Sequence, residues 1–194
     1  MLSKNVTSSY LILLSYSDNN LINNCTGDPE LENSDCNTIK HCATGEITLS
    51  HSNGNSLLYN TIWTQGPSLG LWQSSNNLIF GNNFQKFWWW ISMSGDNNKI
   101  IANDVWAGQI YLVDMLDGTN YIYHNNLYNF RWNQSATTNS ANVWSSDGRG
   151  NYWGYSGTDM NHDGIGDYPY VIDKTNTDNY PLMAPVNIAA EPLP

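Results

Sequence analysis

The stretch DMNHDGIGD, residues 159 to 167, sets Asp159, Asn161 and Asp163 at alternate positions, follows them with Gly164, and adds the Ile165 carbonyl and Asp167. Alternate spacing aims three oxygen-bearing side chains at one centre, and glycine permits the sharp turn after them, the order in which an EF-hand-like loop wraps Ca2+. Without a cation such groups would repel one another or stay unsatisfied. The twelfth position holds Tyr170 in place of a bidentate glutamate. Asp173 or a water would supply the missing oxygen, and the affinity would be modest. The expected role is structural, cross-linking the C-terminal end. A plain Asp/Gly turn without metal is the competing reading.

Catalysis on sugars would need another constellation, two carboxylates facing each other across a scissile bond, or a base with a calcium or arginine beside it. Within the coils carboxylates are sparse, and the candidates are Glu30, Glu32, Asp35, Glu46, Asp96, Asp104, Asp114 and Asp117. Asp96 and Asp117 read as solvated turn residues, which leaves Asp114 with Asp117 as the one pair worth testing. Arg131 and Arg149 are the only arginines, and neither lies in an apolar repeat. The reading leans away from an enzyme, with a polysaccharide lyase or glycoside hydrolase as the alternative.

The elements that must position these groups announce themselves as a repeat. NNLIFGNNF at 76–84 recurs as NNKIIANDV at 97–105, TNYIYHNNL at 119–127 and, upstream, GNSLLYNTI at 54–62; tighter copies begin at 19 and 36. One apolar column reads Ile22, Ile39, Leu57, Ile79, Ile100, Ile122, and the column three residues on reads Cys25, Cys42, Asn60, Asn82, Asn103, Asn125. Between copies stand second runs with the alternation of a strand, such as Ile47 to Leu49, Leu69 to Leu71 and Trp89 to Met93. Units this short cannot bury their own apolar side chains and must stack. The expected fold is all-β, a right-handed single-stranded parallel β-helix of about six coils over residues 1–141. With rows roughly 4.8 Å apart it would be a rod about 29 Å long. Asn60, Asn82, Asn103 and Asn125 would sit at coil corners in left-handed conformation and hydrogen-bond along the rod as a ladder.

The same alternation assigns the aromatics. With Ile62 and Val105 inward, Trp63 and Trp106 point outward, sharing a column with Gln85 and Tyr128; on the next strand Trp72 and Tyr111 are outward, and the WWW run at 88–90 exposes at least one ring, with Trp90 the candidate. Outward rings among Asn and Gln suit sugar binding, because a ring stacks on the C–H face of a pyranose while amides bond its hydroxyls. A contiguous aromatic patch equally suits assembly with another chain.

NNLIFGNNF, IYHNNL, and above all GNYWGYSGTDMNHDGIGDYPYVID followed by DNYPLMAP, resemble the NosD-like surface proteins of the carbohydrate-binding and sugar-hydrolase (CASH) type from archaea and bacteria. The resemblance covers residues 19 to 186. It implies a right-handed parallel β-helix, exported and carbohydrate-associated, placed outside the cell or on its surface, in a family of enzymes and non-enzymes alike. A copper role tied to that family name finds little here, since His41, His51, His124 and His162 are scattered.

The bulk composition narrows the rest. Net charge is −10 with seven Lys plus Arg in 194 residues, so no basic stripe is available for nucleic acid. No apolar run reaches the roughly 18 residues of a membrane span, and any export signal would lie upstream. Cys25, Cys36 and Cys42 lack metal-knuckle spacing and allow one bridge at most; Cys25 and Cys42 share a column, and free or partly oxidised thiols are expected. Three Asn-X-Ser/Thr sequons begin at Asn5, Asn24 and Asn133. From Asn142 the repeat gives way to a cap over residues 142–194, in which Trp144, Tyr152, Trp153 and Tyr168 would cover the last coil. At the other end Met1 begins almost inside a coil, so a fragment of a longer chain, or head-to-tail stacking of copies or against a surface-layer partner, is expected.

Overall fold

The computed structural model describes residues 7–63, 68–85, 90–106, 109–111, 118–128, 141–154 and 157–194. They form a parallel β-solenoid of about five turns, with a 3-10 turn at Ile188–Ala190 as the helical element among the described residues. Among the described residues no helix is long and apolar enough to cross a membrane.

Each coil contributes three walls. The first is a six-stranded parallel sheet, from Leu21–Asn23 through Thr38–Lys40, Ser56–Leu58, Leu78–Phe80 and Lys99–Ile101 to Tyr121–Tyr123. The second stacks Ala43–Thr44, Thr61–Trp63, Asn83–Gln85, Asp104–Trp106 and Asn126–Tyr128; the third stacks Ile47–Ser50, Leu69–Trp72, Trp90–Met93 and Gln109–Tyr111. The longer strand Thr26–Glu32 runs through both of these walls and joins them into one 11-stranded sheet, with Thr7–Ser15 paired to its outer edge. The predicted apolar column is in register at every step, from Ile22 beside Ile39 to Ile100 beside Ile122. These residues and their second- and third-wall counterparts fill one continuous core.

Three columns of corner residues with left-handed backbone angles turn the chain between walls. They are Asn19, Cys36, Gly54, Asn76 and Asn97 before the first wall, His41, Tyr59, Gly81, Ala102 and His124 after it, and Tyr16, Asn33, His51, Gln73 and Gly95 after the third. The expectation that the ladder asparagines themselves take this conformation is corrected here. The left-handed residue is the one just before each, which frees the amide to point inward along the stack. An L-residue in that region costs about 1–2 kcal/mol, so Tyr59 and Ala102 are held there by the coils on either side.

The ladder runs as expected through Asn60, Asn82, Asn103 and Asn125. In each step the backbone N–H and, from Asn60 on, the side-chain Nδ2 of one asparagine donate to Oδ1 of the next, at 2.8–3.0 Å between Asn82 and Asn103. Nδ2 of Asn103 also donates to the Ile79 and Ile101 carbonyls. In the first coils the thiols stand in, with Cys25 N–H donating to Cys42 Sγ at 3.4 Å and Cys42 N–H to Asn60 Oδ1 at 2.9 Å. Both cysteines are buried, and burial pushes the Cys42 thiol up to about 11.

A second ladder, not anticipated, runs before the first wall through Asn20, Asn37, Asn55, Asn77, Asn98 and Asn120, with N–H to Oδ1 distances of 2.7–3.0 Å. A serine ladder through Ser34, Ser52 and Ser74 lines the third corner. Stacked buried amides satisfy the backbone groups that a tight corner would otherwise orphan.

Candidate functional site

The winding does not stop at Asn142. Asn120 N–H donates to Asn142 Oδ1 at 2.9 Å and Asn125 N–H to Asn151 Oδ1 at 3.1 Å, while Val143 and Tyr152 bridge in parallel to Tyr121 and Asn126. Trp144 and Trp153 are buried in the core, and Tyr170 stacks on Trp153 at 4.1 Å. Tyr168, expected to cover the last coil, is 64% exposed, so Tyr170 takes that place.

Both amide ladders then end on carboxylates. Asn151 N–H and Trp153 Nε1 donate to Asp178 Oδ2 at 2.7 and 2.9 Å, and Tyr180 N–H donates to Oδ1. Burial pushes the Asp178 carboxyl up, against the pull of these donors. In the other stack, Asn142 N–H and Trp144 Nε1 donate to Asn176 Oδ1, and Asn176 Nδ2 donates to both oxygens of Asp173. Burial raises the Asp173 carboxyl, but the Thr175 and Asn176 donors outweigh it and hold it below its ordinary value. Asp173 therefore has a ladder-ending role that its place beside the acidic loop did not suggest.

The acidic loop itself is folded around its own carboxylates. Asp159 accepts from the N–H groups of Asp163 and Gly164 at 3.1 and 2.9 Å, Asp163 accepts from Ile165 N–H, and Asp167 accepts from Met160 N–H. Gly164 has φ +84 with nothing near the position of a β-carbon, as a sharp turn requires. Ile165 bridges to Leu182, tying the loop to the last layer. Among the described residues no three His, Cys, Asp or Glu side chains gather as a metal-holding group. The donor set of Asp159, Asn161, Asp163, the Ile165 carbonyl and Asp167 is all oxygen, which matches a hard cation such as Ca2+ in kind, and a carboxylate has about four lone-pair sites, more than these hydrogen bonds use.

The aromatic residues separate into two places. Trp63, Gln85, Trp106 and Tyr128 form one outward column on the second wall, with Trp63 60% and Trp106 47% exposed. Trp106 and Tyr128 stack with centroids 4.0 Å apart and planes 18° from parallel, and Tyr152 meets Tyr128 edge-on. Beside them runs a polar column of Thr61, Asn83, Asp104 and Asn126, in which Asn126 Nδ2 donates to Asp104 Oδ1 at 2.7 Å. Asn83 Oδ1 is buried without a hydrogen-bond partner. Trp72 lies apart, on the third wall, 41% exposed, with its indole Nε1 over Gly70. The Tyr111 backbone pairs with Ser92, which aligns with Gly70, so Trp72 and Tyr111 occupy neighbouring columns. The side chains of Trp90 and Tyr111, and the whole of Asp114, Asp117, Arg131 and the sequons at Asn5 and Asn133, lie outside the described residues.

The C-terminal segment supplies a feature that no periodicity announced. After the cap it crosses back over the outside of the first wall, where Ile188 packs on Phe80, Ile101 and Ala102. Asn126 and Val186 exchange two hydrogen bonds of 2.7 and 2.9 Å, and Glu191 sits 3.2 Å from His124 Nδ1 and 3.4 Å from Arg149. The strap thus covers an apolar strip on the outer face of the coils.

No family model matches the chain, and no curated protein or solved structure matches it.

Proposed function

We propose that this chain is a non-catalytic module of the NosD-like, carbohydrate-associated type, exported to the cell surface or beyond, whose second wall contacts glycans. The observation that carries the reading is the column of Trp63, Gln85, Trp106 and Tyr128, exposed rings interleaved with an amide on a rigid sheet. Rings held by a stacked backbone lose little conformational entropy on binding, and a polysaccharide asks for apolar platforms with amide donors and acceptors between them. Ca2+ belongs to the proposal as the structural ion of the 159–167 loop, held by Asp159, Asn161, Asp163, the Ile165 carbonyl and Asp167. There it would neutralise clustered carboxylates and stiffen the cap.

A glycan array probed with the purified chain and with Trp106→Ala tests the reading. Binding to a defined set of sugars that the variant loses is the expected result; an array blank for both, or binding the variant keeps, rejects it. Assembly with further chains is the second reading, favoured by the exposed Leu11 and Leu13 on the edge strand Thr7–Ser15. Closure of both amide ladders on Asp173 and Asp178 weighs against head-to-tail stacking at the cap end. Concentration-dependent filaments under negative stain would promote assembly over glycan contact.

A further inference from the structure

On the second wall Trp63, Gln85, Trp106 and Tyr128 hold one outward column in successive coils. Trp106 and Tyr128 belong to successive coils, yet their rings are nearly parallel and 4.0 Å apart, so the ring planes stand across the rod axis, edges to solvent. Tyr128 covers one face of Trp106. The other face looks along the column toward Gln85 and, one row further, Trp63. Rows about 4.8 Å apart place Trp63 and Trp106 about 9.6 Å from each other. Van der Waals contact on both sides of an inserted ring needs about 7–8 Å, twice the usual 3.5–4.0 Å between carbon atoms, and a puckered saturated ring is thicker than a flat one. The row between Trp63 and Trp106 belongs to the exposed Gln85, and the neighbouring column carries Asn83, whose Oδ1 is a buried acceptor with no hydrogen-bond partner.

Resting on the glycan reading, we infer that Trp63 and Trp106, two rows apart, form a slot that takes a single uncharged pyranose of gluco configuration, sandwiched between their indoles. The configuration follows from having a ring on each side. A pyranose whose substituents are all equatorial turns axial C–H bonds to both faces, and each face can lie on an aromatic ring. An axial hydroxyl, as in galactose or mannose, would press a polar group against one indole and leave it without a partner. Equatorial hydroxyls radiate in the plane of the sugar, toward the exposed Gln85 amide of the row between the two indoles. Asp104 is the charged member of the flanking column and no described residue of either column is basic, so a uronate or a sulfated sugar finds repulsion.

Indole N–H shifts in NMR titrations with methyl β-glucoside, methyl β-galactoside, methyl β-mannoside and methyl β-glucuronide provide the test. The glucoside is expected to saturate with affinity about tenfold or more above each of the others, and Trp63→Ala and Trp106→Ala are each expected to lose about tenfold for it. Gln85→Trp, which fills the slot from an exposed position, should abolish binding, with thermal unfolding of all three variants confirming that they fold. Equal affinity for glucoside and galactoside, or retention of binding in Trp63→Ala alone, overturns the sandwich while leaving a single-platform glycan surface standing. Binding to none of the four, together with a blank array, overturns both.

Discussion

The coils and the cap satisfy the same backbone amides with different side chains. In the coils from Asn60 on, the rungs of the first ladder are amides that accept on Oδ1 and donate through Nδ2, so each depends on a like neighbour. A stack of such groups always leaves its last donors open. In the cap they meet Asp178 directly, and Asp173 through Asn176, and a carboxylate only accepts. The neutral ladder can thus be extended by repetition, whereas its end needs a group that breaks the pattern. Two tryptophans, Trp144 and Trp153, add indole donors to the same terminal oxygens and bring bulk to close the core.

The sharpest way to break this contrast is Gly150→Ala. A β-carbon there would run into the Asp178 carboxylate, so the close of one ladder must shift or open. A loss of about 4 kcal/mol is expected from overpacking plus the orphaned donors, read by urea unfolding. Asn103→Ala attacks the coils instead. It removes the acceptor of both Asn82 donors and the partner of Asn125, and should cost about 3 kcal/mol with the cap intact.

The proposed calcium ion would act on the cap alone. At tenfold excess over its dissociation constant Ca2+ should stabilise the protein by about 1.4 kcal/mol, an effect that Mg2+ fails to reproduce and Asp159→Ala removes in differential scanning calorimetry. Cys42→Asn extends the amide ladder one rung toward the N-terminus. It gives Cys25 N–H an oxygen acceptor in place of sulfur and is expected to stabilise by about 1 kcal/mol in the same unfolding assay.

The smallest effect is in pH. Asp173 is held below the ordinary carboxylate value, so its contribution stands above that value and drains away as pH falls through the folded one. Asp178 is pushed up, so its contribution is present below the ordinary value and is lost as pH rises through the raised one. Unfolding free energies of Asp173→Asn should therefore converge on those of the parent chain as the solution is acidified, and a gap that widens instead would reverse the assignment.

The walls and the core were legible because stacking repeats one apolar position per coil, and Ile22 through Ile122 carried it. The second asparagine ladder was equally legible. Asn20, Asn37, Asn55, Asn77, Asn98 and Asn120 hold their column without the cysteines that interrupt the other, and Asn142 follows in phase. The roles of Asp173 and Asp178 were not legible, since each meets its ladder through a chain reversal of irregular length. Nor was the strap, because Ile188 reaches Phe80 and Ile101 through the fold and not through any spacing.

Coil length varies most between the second and third walls. From Thr44 to Ile47 the early coil passes directly from second wall to third, while Ile62 to Leu69 and Phe84 to Ile91 take longer paths between equivalent core positions. The corner between the first and second walls is clamped by the amide ladder and keeps one count in every coil, from Ile39 and Thr44 to Ile122 and Leu127. Natural drift or a protein engineer can therefore lengthen, shorten or replace segments at the edge between the second and third walls, next to the aromatic column, and diversify recognition while the rest of the rod keeps its phase.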